Sequence, residues 1–169
     1  MILGDNFFYG QNLSKLLLEC TKIKSGAKII LHSVQNPEQF GIAKIDKKSK
    51  KIIKIIEKPK KFISNNAITG LYFFDNKVTK YAKKIKPSKR GELEISDINN
   101  LYLYENQLRA KIMGRGMTWL DTGTFESLNE AGSYIRTIEN RHGLKVGCPE
   151  EIAYRNNWIS DSKLAKLAK

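Results

Sequence analysis

Short runs rich in branched and aromatic residues alternate with segments of helical periodicity along almost the whole chain, and this alternation limits the fold more than any other feature. Leu13, Leu16, Leu17 and Cys20 recur at the spacing of one helix face, which predicts an amphipathic helix running to about Ser25-Gly26. Residues 28–34 then read as a buried strand. Segments 41–46 and 52–57 are β-rich and separated by a lysine-laden turn, the pattern of a hairpin, and 67–74 supplies a third strand. Helices are expected over 78–85, stopped by Lys86-Pro87, and over 94–104, entered from Arg90-Gly91; 107–113 and 117–121 return to strands. Leu128, Ala131, Ile135 and Ile138 place a long helix over 125–139, and the stretch from Pro149 is again helical, with Ile152 and Trp158 as packing residues. Such an order argues for an α/β domain with a mixed sheet and ligands at the carboxyl ends of its strands.

A length of 169 residues suits one domain with a substantial core. Neither a charged-then-apolar leader nor an apolar run near the roughly 20 residues of a membrane span is present, so the expectation is a cytoplasmic protein without a membrane partner. Cys20 and Cys148 lack metal-ligand spacing and read as reduced thiols. The net charge of +13 invites a nucleic-acid partner, because clustered cations release counterions from phosphates. Its distribution argues otherwise: the charge is mostly lysine in turns and helix faces, and only six arginines supply the planar forks that base recognition favours.

Three strings carry chemistry: Leu3-Gly4-Asp5-Asn6, Glu57-Lys58-Pro59 and Trp119-Leu120-Asp121-Thr122-Gly123-Thr124. Two of them place an aspartate at a strand end. The middle one presents a Glu and a Lys, expected in extended backbone before the proline and pointing to opposite sides of the strand. A carboxylate can accept from neighbouring sugar hydroxyls, an ammonium can reach a phosphate, and paired aspartates suit a divalent cation. Each has a plainer alternative: Asp5 capping a helix near Tyr9-Gly10, Asp121 capping the turn before Phe125, and Glu57-Lys58 as an exposed ion pair.

These strings, with Phe40-Gly41-Ile42, Ala67-Ile68-Thr69-Gly70-Leu71-Tyr72, Arg90-Gly91-Glu92-Leu93-Glu94-Ile95-Ser96-Asp97, Met113-Gly114-Arg115-Gly116 and Cys148-Pro149-Glu150-Glu151-Ile152-Ala153-Tyr154-Arg155, resemble the sugar nucleotidylyltransferases. The glucose-1-phosphate thymidylyltransferases among them are the nearest in pattern. The resemblance implies a Rossmann-like nucleotidyltransferase fold and a single domain over 1–169, equivalent to the C-terminal two-thirds of the family enzyme, with 125–169 as its helical end. It also implies an N-terminal truncation, since the family's Gly-x-Gly-x-Arg loop precedes the string containing Asp5, and hence a crippled activity.

The implied reaction is magnesium-dependent transfer from dTTP to glucose 1-phosphate, giving dTDP-glucose and pyrophosphate. Asp5 and Asp121 are the implied Mg2+ ligands, and Asp5, Asp121 and Lys58 the implied catalytic groups. Gly41, Glu57, Lys58, Ile68, Tyr72 and Arg90 would form the sugar-phosphate pocket; a turn glycine, core isoleucine, core tyrosine and surface arginine are the alternatives for four of them. Tyr9, Gly10, Gly114, Arg115, Glu151, Ile152 and Arg155 match a regulatory nucleotide site, although Ser14 and Lys15 depart from the His and Glu common in related sequences. A homotetramer is implied as well. Competing expectations are a uridylyl- or cytidylyltransferase of the same fold, and a non-catalytic sugar-phosphate-binding or subunit-interaction fragment.

Overall fold

A computed structural model describes residues 1–89 and 91–168. They fall into two units, Met1–Asp121 and Thr122–Lys169. The first is organised around β2 (Ala27–Ser33), whose Ile29, Ile30 and Leu31 have no exposed surface. Ala27, Ile29 and Leu31 join one core cluster while Ile30 joins another, the alternation required of a strand covered on both faces. β5 (Asn66–Phe74) pairs antiparallel with β2 on one side, and β6 (Leu108–Ile112) pairs parallel on the other. The hairpin β3 (Gly41–Ile45) and β4 (Ile52–Glu57) completes a mixed sheet of order β4-β3-β5-β2-β6. β1 (Asn6–Gly10) and β7 (Met117–Asp121) form a separate antiparallel ribbon.

Helices cover both faces of the sheet. Leu16 and Cys20 of α1 (Leu13–Thr21) pack with Ile30, Ile42 and Trp119; Tyr81 of α2 (Val78–Ala82) and Ile98 and Tyr102 of α3 (Ile95–Tyr104) join the Ile29–Leu31 face. α1 stops about one turn before the expected Gly26. Gly26 instead adopts φ +82° and donates its N–H to Asp75 Oδ2 at 2.7 Å, which turns the chain into β2. α2 is also short: past Ala82 the Lys84 N–H closes a tighter, i→i−3 turn on the Tyr81 carbonyl at 2.9 Å.

One irregularity bears on the site. Ile29 faces Tyr72 across the β2–β5 pair but Leu31 faces Ile68, so β5 carries extra residues around Gly70. Bulges of this kind re-aim a strand and free backbone groups for other partners. Buried Thr69 donates its hydroxyl to the Ile30 carbonyl at 3.1 Å, and the Gly70 N–H turns to the Asn6 side chain.

The second unit comprises α4 (Phe125–His142), α5 (Pro149–Arg155) and α6 (Asp161–Leu167). A reciprocal Thr124–Ser127 capping box opens α4, and Gly143 at φ +68° closes it. The helix outlasts its apolar periodicity because Arg141 and His142 occupy its last turn, where cations complement the dipole. Ile152 and Trp158, expected to pack, are 48% and 73% exposed. α5 is seven residues long with no buried residue, too short to turn an apolar stripe inward. No helix among the described residues is long and apolar enough to cross a membrane.

Candidate active site

Strand register assembles the site. In the β1–β7 ribbon Asn6 lies opposite Asp121, so Asp5, one residue earlier, stands at the same ribbon end. Gly41 lies opposite Glu57 in the hairpin, and positions 68, 70 and 72 share one face of β5. These elements enclose a cavity of about 210 Å3 whose lining includes Asp5, Asp121, Gly41, Glu57, Lys58, Ile68 and Tyr72. The two aspartates and the Glu-Lys pair therefore share one space. Arg90 lies outside the described residues.

Neither aspartate caps a helix: Asn12 stands at the start of α1, and Thr124 at the start of α4. Glu57 accepts a hydrogen bond from the Ser96 hydroxyl in the first turn of α3. A Cβ at position 41 would lie 2.8 Å from Glu57 Oε2 and 3.1 Å from Ser96 Oγ, so glycine here makes room for the clamped carboxylate.

Lys58 departs from the expected extended backbone. Its φ is +40°, uncommon for a residue with a side chain, and its N–H is held by the Phe40 carbonyl at 3.0 Å. The turn ends β4 at Glu57 and brings Lys58 to the same cavity as its neighbour, where strand alternation alone would have separated them. Backbone held in this region costs on the order of 1–3 kcal/mol and recurs where structure serves a ligand.

Ile68 and Tyr72 are buried and face the cavity too, so core and lining roles coincide. Burial pushes the Tyr72 phenol well above its ordinary value, and the negative charges of Glu57 and Asp5 push it in the same direction. It therefore stays protonated and able to donate. Among the described lining residues three carboxylates face one ammonium, an acidic hollow in a chain of net charge +13.

Sequence reasoning missed Asn6, Ser96, Gly70 and Trp119 as lining residues. All four lie inside the quoted strings, yet their parts depend on cross-strand partners that the sequence does not display. The residues matched to a regulatory site form two groups. Tyr9 and Gly10 stand opposite Thr118 and Met117, beside the Gly114–Met117 turn that includes Arg115, at the ribbon end remote from Asp5. Glu151, Ile152 and Arg155 lie on α5, with Arg155 Nη2 2.7 Å from Glu151 Oε1.

The profile of the family described as "Nucleotidyl transferase" matches residues 1–137. This chain belongs to the nucleotidyl transferase family. It is 47% identical over 169 residues to the glucose-1-phosphate thymidylyltransferase of Neisseria meningitidis serogroup A / serotype 4A, covering all of this chain and 58% of that protein. With its Xanthomonas campestris pv. campestris (strain B100) counterpart it shares 48% identity over 168 residues, 99% of this chain and 57% of the relative. The chain thus spans somewhat more than half the length of these relatives. A Bacillus anthracis crystal structure assigned as a glucose-1-phosphate thymidylyltransferase, in complex with sucrose, superposes with a TM-score of 0.68 at 47% identity, covering 79% of this chain and 52% of that one. UDP-glucose pyrophosphorylase complexed with UDP-glucose gives the same TM-score at 20% identity, a likeness of fold alone. The mixed sheet flanked by helices is the expected α/β nucleotidyltransferase architecture.

Proposed function

We propose that this nucleotidyl transferase chain, as one continuous sugar-phosphate and metal portion, serves magnesium-dependent transfer from dTTP to glucose 1-phosphate, yielding dTDP-glucose and pyrophosphate. A phosphate oxygen of the sugar forms a bond to the α-phosphorus of the nucleotide, and the bond to the bridging oxygen of pyrophosphate breaks. The observation that carries this reading is the convergence of Asp5, Asp121, Glu57 and Lys58 on one cavity.

The donor set fits Mg2+. Asp5 and Asp121 supply two carboxylates, and no group of three His, Cys, Asp or Glu able to close around a metal occurs among the described residues. Magnesium favours such open sites, held by one or two carboxylates and completed by water and substrate phosphates. When bound, it would neutralise negative charge on the phosphates. Glu57, oriented by Ser96, accepts from sugar hydroxyls; Lys58 meets the phosphate; Gly41, Ile68 and Tyr72 shape the hexose pocket; and Arg90 adds a second cation for the phosphate. Tyr9, Gly10, Gly114 and Arg115 of the first unit, and separately Glu151, Ile152 and Arg155 of the second, are matched to regulatory-nucleotide contacts, and the working assembly is a homotetramer.

Calorimetry with glucose 1-phosphate, with and without Mg2+, is expected to show metal-dependent binding that Asp121→Asn abolishes. Glu57→Ala is expected to weaken hexose binding more than metal binding. Pyrophosphate release from dTTP in the same samples separates transferase from binding module: binding without release would assign the chain as a sugar-phosphate-binding fragment. Absence of any glucose 1-phosphate binding overturns both.

A further inference from the structure

We propose that Asn6 is a positioning residue for Asp5, an amide clamp that sets the orientation of this carboxylate at the cavity. Three hydrogen bonds carry the inference. Trp119 Nε1 donates to Asn6 Oδ1 at 2.6 Å, the Gly70 N–H donates to the same oxygen at 3.3 Å, and Asn6 Nδ2 donates to Asp5 Oδ1 at 2.7 Å. An indole N–H and a backbone N–H are donors only, so the atom facing both must be the amide oxygen. The flip state of Asn6 is therefore dictated from outside, and its NH2 has to face Asp5.

Each holder is itself fixed. Trp119 is 8% exposed and packs edge-on against Phe40 with ring centroids 5.1 Å apart. Gly70 sits where the β2–β5 register shifts, which turns its N–H toward Asn6, and any Cβ at this position would collide with the Asn6 amide. The clamp thus ties β1, β5 and β7 to one carboxylate and leaves no room for a side chain at position 70. Outer partners of this kind typically change metal affinity about 10–100-fold when lost. The consequence for ligation rests on Asp5 serving as a metal ligand; the geometry of the clamp does not.

The two layers separate experimentally in the full chain. Asn6→Asp keeps the acceptor oxygen that serves the Trp119 and Gly70 donors, and the side-chain shape, but replaces the donor facing Asp5. In NMR the Trp119 indole resonance is expected to keep its hydrogen-bonded position while Asp5, held in one χ1 rotamer in the parent, averages among rotamers. Asn6→Ala provides the same rotamer measurement if Asn6→Asp does not fold. A single retained Asp5 rotamer in the folded variant overturns the clamp. Calorimetric titration with Mn2+ then reads ligation: Asn6→Ala is expected to weaken binding about tenfold or more, with Asp5→Asn as the reference for complete loss. Parental affinity in Asn6→Ala beside loss in Asp5→Asn overturns the positioning role. Parental affinity in Asp5→Asn overturns the metal reading instead, and the rotamer result still decides the clamp.

Discussion

The two units of this chain are held by different physics. Residues 1–121 bury two clusters of apolar side chains against a sheet covered on both faces, whereas in the helical second unit Ala131 alone is buried among the described hydrophobic residues. What orders the second unit is local: the Thr124–Ser127 box, the Gly143 turn, Glu139 accepting from the Val146 N–H and Lys145, and the Ser160 hydroxyl capping α6. Helices of seven residues are marginal without tertiary packing. The lining of the candidate site lies wholly within the first unit, the one with a core.

The strongest challenge to that contrast is Leu31→Ala, which empties a fully buried position and is expected to cost about 2–5 kcal/mol in denaturant unfolding. A small loss would mean the sheet does not carry the first unit. Gly41→Ala forces Glu57 away from Ser96; about 1–3 kcal/mol of overpacking cost is expected, together with weaker glucose 1-phosphate binding by calorimetry. In the second unit Thr124→Ala removes a cap and should cost only about 1 kcal/mol, read as earlier loss of helical circular dichroism without change in the sheet signal.

His32 sharpens the comparison through pH. Burial lowers its pKa below the ordinary value, and its Nδ1 is buried without a hydrogen-bond partner. The folded state prefers the neutral ring, so the stability it contributes is complete above about pH 6.5 and is lost as the pH falls through the lowered value. His32→Leu should therefore flatten acid destabilisation of the first unit below that pH, measured as unfolding midpoint against pH. Smallest of all, Trp158→Ala should change stability by no more than about 0.5 kcal/mol, since the ring is 73% exposed; a larger loss would reveal a core in the second unit.

Most elements were legible because their signals are local. The buried-strand run in 28–34, the lysine-rich turn between β3 and β4, and the spacing of Leu13, Leu16, Leu17 and Cys20 each report on neighbours within a turn or a strand. Helix ends were less legible. Where α1 stops depends on Asp75 gripping Gly26, a bond across 49 positions.

The sequence by itself determined which residue types stand in which local frame: aspartates beside strand ends, a Glu-Lys pair before a proline, and strands alternating with helices. Only the tertiary structure decided that positions 5, 57, 58 and 121 face one cavity, that Lys58 turns through positive φ to join Glu57, and that Asn6 points its NH2 at Asp5. Local preferences act over a few residues, but a site is an arrangement of distant ones. Register between β1 and β7, and the bulge in β5, set that arrangement through pairings that exist only once the chain has closed on itself.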